Sequence, residues 1–132
     1  MTSLYWRILA RCLFIIWVAC AALDMAHIHA GWLTSYGADI AMPAWLYVTT
    51  RSLDVPTRVG RVHRWFGRTQ ELAAATIFIG STLTEISQYF WPAGPFRGIF
   101  DPFDILAYGA GVAVCYCLDR FGANASRSPL SA

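Results

Sequence analysis

The chain contains no lysine, and all ten of its basic side chains are arginine. Charge of either sign is scarce, at 14% of residues against 57% hydrophobic, where a typical soluble domain carries roughly 25% charge. So little charge does not cover a soluble surface, and much of the exterior is expected to face lipid. A net charge of +2, with no basic helix and no aromatic-basic face, argues against a nucleic-acid partner. No GxSxG, Walker A, dinucleotide fingerprint, HExxH or paired CxxC is present. No cofactor is expected, and whether the chain is catalytic stays open. Cys12, Cys20, Cys115 and Cys117 all lie inside apolar runs, where they read as small hydrophobes rather than a disulfide framework. The WVA before Cys20 is a poor match to a lipoprotein cleavage site.

What the chain has is apolar length. Its 132 residues suit one domain, and four hydrophobic segments are expected to span a membrane: about 6–28, 36–53, 72–91 and 102–121. The first is expected to be an uncleaved anchor, although Arg7 and Arg11 also resemble the start of a signal peptide. The second is short, and Pro43 removes one of its helical hydrogen bonds. Pro92, Gly94 and Pro95 end the third. Between the second and third lies DVPTRVGRVHRWFGR, a basic loop with room for a short interfacial helix anchored by Trp65 and Phe66. Residues 122–132 read as a disordered cytoplasmic tail.

Four spans put nine of the ten arginines on one side of the membrane. The positive-inside rule makes that side cytoplasmic, with both termini inside. The expected fold is therefore all-α, a four-helix transmembrane bundle whose outer face is acidic. Only Arg97 is basic on that face, alongside Asp24, His27, His29, Asp39, Asp101 and Asp104.

The candidate site lies at the outer turn, TEISQYFWPAGPFRGIFDPFD. Glu85 and Gln88 are three residues apart and share a helix face. Glu85 lies about 9 Å below Trp91 along the axis. A carboxylate at such depth costs energy unless it is paired or protonated. Arg97 is its natural partner, either as a staple between two helices or as the cation of an anion site. Asp101 reads as an N-cap ahead of Pro102. Asp104 opens a face continued by Tyr108 and Gly111, with Tyr108 either an aromatic filler or a site donor. Gly109 and Ala113 make a small-xxx-small pair suited to close helix contact. His27 and His29 converge only if the helix has ended before them, and no metal site is expected.

These residues resemble the VanZ-like family of small bacterial membrane proteins. E85-I-S-Q88, a turn with Arg97, and then F-D101-P-F-D104-I-L-A-Y108-G-A-G111 occupy the places of that family's pattern, over about residues 72 to 118. The family usually has Asn where this chain has Tyr108. The resemblance implies fold and location, in the bacterial cytoplasmic (inner) membrane, more than mechanism.

The expected function is an outward-facing polar pocket of Glu85, Gln88, Arg97, Asp104 and Tyr108 that binds an anionic or lipid-linked cell-envelope molecule. If it is catalytic, Glu85 or Asp104 is the acid/base and Arg97 the charge stabiliser. The alternative is a non-catalytic scaffold or accessory subunit whose polar cluster locks the helices and recruits a membrane protein partner. Membrane lipids are partners in either case.

Overall fold

Two residues start the helices that carry the acidic turn. Thr69 is extended, and its hydroxyl accepts the Leu72 N–H at 3.1 Å, filling one of the donors left open at a helix start. Asp101 Oδ1 accepts the Phe103 N–H at 2.9 Å, with Pro102 in the first helical position, where a missing N–H costs nothing. The computed structural model describes residues 3–28, 31–54, 61–94 and 99–125, without the side chains of 33–35 and 124–125. Among these the chain is all-α, with five helices: α1 (Ser3–Met25), α2 (Trp32–Thr50), α3 (Arg61–Phe66), α4 (Gln70–Phe90) and α5 (Pro102–Ala125).

Helix ends shift from the expected bounds for local reasons. α1 stops at Met25 because His27 takes a left-handed backbone, φ 56°. The Ile28 N–H then bonds the Leu23 carbonyl and the His27 N–H bonds that of Asp24, a Schellman closure. Ser52, φ 54°, closes α2 in the same way, with Leu53 N–H on Val48 and Ser52 N–H on Thr49. α5 runs on to Ala125, past the expected end at residue 121, and residues 126–132 lie outside the described residues. Gly122 costs about 1 kcal/mol of helix propensity, too little to stop a helix already in progress.

α2 is the centre of the packing: it contacts α1, α5, α4 and α3, while α4 also packs on α5. Trp17 stacks on Trp45 at 6.1 Å while Cys20 meets Gly37, so α1 and α2 are antiparallel. Ile40 meets Gly111 and Tyr47 bonds Asp119, so α2 and α5 run parallel. α4 opposes both. Tyr47, Val48, Ala73, Val112 and Cys115 form the buried centre, joined by Trp6 and Ala10. Small side chains set the crossings. A Cβ on Gly111 would collide with the Ile40 carbonyl, whereas one on Gly109 would make only ordinary contact with Phe78, and Ala113 is exposed. The close helix approach therefore belongs to Gly111 rather than to the Gly109–Ala113 pair.

Among the described residues two helices, Ser3–Met25 and the Pro102–Ala123 part of α5, are long and apolar enough to cross a membrane, fewer than the four expected. α2 and α4 are diluted by Asp39, Glu85, Gln88 and several hydroxyl residues. Their outward faces are nonetheless apolar. Ile79 and Leu83 on α4 are more than half exposed, like Ile15 on α1 and Leu106 and Val114 on α5.

Candidate functional site

Ala73, Ile77, Ser81 and Glu85 follow one another at four-residue steps, the spacing of one helix face. That face of α4 turns inward, and Glu85 is only 1% exposed. Both of its oxygens are satisfied by α5 and the residue before it: Oε1 accepts the Asp101 backbone N–H at 2.8 Å, and Oε2 accepts the Tyr108 hydroxyl at 3.1 Å. A carboxylate at the start of a helix also meets the positive end of its dipole. Asp101 serves twice, donating its N–H to Glu85 and capping α5 with its side chain.

Asp104 is half-buried in the first turn of α5, within electrostatic reach of Asp39, Glu85 and Asp101. Glu85, Asp101, Asp104 and Tyr108 are thus drawn together. Gln88 is half-buried one turn along α4 and takes no part in the hydrogen bonds of Glu85 among the described residues. Arg97 lies outside the described residues, and so does any pairing of it with Glu85.

Asp39 of α2 was not among the expected site residues and belongs with them. It is half-buried beside the Tyr108 hydroxyl and within reach of Glu85, Asp101 and Asp24. Pro43, four residues on and fully buried, has no N–H to donate to the Asp39 carbonyl. Two signals for Asp39 lie in the sequence: the proline four residues later, and Gly111, which allows α2 and α5 to touch.

Four carboxylates from three parts of the fold therefore face one turn, with two tyrosines, Tyr36 and Tyr108, beside them. None of the described arginines is at this end. Such a set accepts hydrogen bonds from hydroxyl or ammonium groups. An anionic group there requires a cation from outside the cluster. Among the described residues, no group of three or more His, Cys, Asp or Glu could hold a metal ion; His29 lies outside them.

The opposite end holds the described arginines and a second polar knot. Arg51 Nε pairs with Asp119 Oδ2 at 3.0 Å, and Tyr47 donates its hydroxyl to the same oxygen at 3.0 Å. Arg51 Nη1 also donates to the Gly67 carbonyl at 2.6 Å and more weakly to that of Arg68 at 3.3 Å. His63 Nδ1 lies 3.3 Å from the Thr50 carbonyl, and a Cβ on Gly67 would strike that same oxygen. The knot ties the loop before α4 to α2 and α5. Sequence reading missed it, although Gly111, Cys115 and Asp119 share a four-residue stride. Nearby, Glu71 lies in the first turn of α4. Arg120 lies 3.5 Å from it, with both side chains more than half exposed.

Comparison with protein-family models, with curated proteins and with solved structures gives no match.

Proposed function

We propose that the chain is a multi-pass protein of the bacterial inner membrane. In this reading α1, α2, α4 and α5 cross the bilayer, the arginine-rich end is cytoplasmic, and the carboxylate cluster opens outward. Helices of 19 to 24 residues are about 28–36 Å long, which suits a hydrocarbon core of about 30 Å. The apolar outward faces and the division of arginines from the acidic turn support the same reading. So does the VanZ-like spacing of Glu85, Gln88, Arg97, Asp104 and Gly111.

The site binds a lipid-linked envelope molecule in this proposal. The observation that carries it is the gathering of Asp39, Asp101 and Asp104 around a buried and satisfied Glu85. Carboxylates alone repel a phosphate, so a purely anionic ligand fits poorly. A polyprenyl-phosphate saccharide answers both halves of the site: its hydroxyls donate to Asp39 and Asp104, and Arg97 in the adjoining connection takes the phosphate. Glu85 orients Tyr108 and the start of α5, and its burial keeps it from the ligand.

A synthetic polyprenyl-phosphate disaccharide, titrated into the purified protein in nanodiscs, tests this. Asp104→Asn and Arg97→Ala should each weaken retention at least about tenfold with helical content unchanged. The second reading, a non-catalytic scaffold, is favoured by the complete satisfaction of Glu85. It prevails if both variants retain the saccharide like the native chain, or if the native chain retains none.

A further inference from the structure

At the arginine-rich end a groove of about 420 Å³ opens between α1 and α2. Its mouth carries Arg7, Arg11 and Asp54, and its walls are Phe14, Ile15 and Trp45. Arg7 and Arg11 are one helical turn apart and share a face. Both are exposed, and among the described residues neither forms an ion pair; Arg7 reaches only the Ser3 hydroxyl, at 3.4 Å. Phe14 lies 5.4 Å from Trp45, which stacks on Trp17, so the apolar wall is a fixed aromatic surface. The groove is thus charged at one end and apolar along its length, with two cations against one carboxylate.

We propose that this groove holds one anionic phospholipid, its headgroup phosphate between Arg7 and Arg11 and an acyl chain along Phe14, Ile15 and Trp45. Charge complementarity selects this occupant. A zwitterionic lipid brings its own cation to a mouth that is already positive, and an apolar helix from another protein leaves both arginines unanswered. Two guanidiniums one turn apart offer paired donors to phosphate oxygens. The assignment rests on residence in the membrane but not on the carboxylate site at the other end.

Native mass spectrometry of the full chain tests it, with dioleoyl phosphatidylglycerol and dioleoyl phosphatidylcholine supplied in equal amounts. The native chain should carry the phosphatidylglycerol adduct at least about fivefold over phosphatidylcholine, as expected for a net gain of one cation near the lipid. Arg7→Gln with Arg11→Gln should bring the ratio near one, while Arg61→Gln with Arg64→Gln, at the same end of the molecule, should leave it within about twofold of native. Asp54→Asn should raise it. Excess inorganic phosphate should not displace the lipid.

A ratio near one for the native chain overturns the proposal, as does equal loss in the α3 variant or displacement by phosphate alone. A lipid-free dimer broken by the Arg7 and Arg11 changes would mean that a second copy occupies the groove, and also overturns it. Should the double glutamine variant not fold, Arg7→Lys with Arg11→Lys and Asp54→Asn decide: preference kept in the first and raised in the second supports the lipid, and no response in the second refutes it. Alkaline carbonate extraction reads membrane residence separately. A ratio near one in a carbonate-resistant protein removes the groove assignment alone.

Discussion

Tyr108 on α5 donates its hydroxyl to Glu85 on α4 at 3.1 Å, across 23 residues of chain. Neither group has water as a substitute partner, since Glu85 is 1% and Tyr108 5% exposed. Tyr108→Phe removes the donor and leaves Glu85 Oε2 buried and unsatisfied. The expected loss is about 1–3 kcal/mol, measured by unfolding in detergent. Asp104→Asn, on a half-buried residue without such a bond among the described residues, should cost much less. A site that binds ligand through Asp104 then loses binding in the second variant without the stability loss of the first.

The crossing of α2 and α5 allows no side chain at Gly111. Gly111→Ala should force the two backbones apart and destabilise by about 1–3 kcal/mol. Gly80→Ala on α4 meets open space and should be neutral or stabilising by up to about 1 kcal/mol. Thermal melting of the two variants side by side separates a packing effect from a helix-propensity effect.

Asp119→Ala leaves the buried Tyr47 and the half-buried Arg51 without their shared acceptor. Arg51 and Asp119 side chains are 15% and 8% exposed, so the cost should approach the roughly 3 kcal/mol of a broken buried pair. Glu71→Gln, in the exposed pair with Arg120, should leave stability unchanged within error. Limited proteolysis should also cut the loop before α4 faster in Asp119→Ala, because Arg51 no longer holds the Gly67 and Arg68 carbonyls.

His27 is an exposed residue in a left-handed backbone, where a Cβ is a cost. His27→Gly should stabilise the protein by about 0.5–1 kcal/mol. A loss of stability on this change would mean that the imidazole is engaged, and would reopen the question of what it binds.

The four long helices were legible because each sits on a mainly apolar segment, and because Asp101, Pro102 and the Pro92–Pro95 stretch are local signals. That Glu85, Asp104 and Tyr108 lie near one turn follows from the sequence, since that turn separates two helices that must lie side by side. Asp101 reads there only as a cap, Gln88 stands outside the hydrogen bonds of Glu85, and Arg97 lies outside the described residues. The bond that Glu85 receives from the Asp101 backbone was not legible, because a main-chain donor leaves no mark in the side-chain pattern. Asp39 and the Tyr47–Arg51–Asp119 knot were missed for another reason. They depend on α2 lying parallel against α5, a contact between distant segments that periodicity does not encode. Helix ends at His27 and Ser52 were misplaced because neither residue is the glycine that usually marks a left-handed close.

Membrane residence and orientation underlie every functional statement made for this chain. Single cysteines on a cysteine-free background, labelled in intact cells with an impermeant maleimide, test them most directly. Trp32→Cys and Ile99→Cys, at exposed positions of the acidic end, should label from outside. Trp65→Cys on α3 should label only after the membrane is opened, and the protein should resist carbonate extraction. Labelling of the Trp65 position in intact cells, or release of the protein by carbonate, would contradict the account.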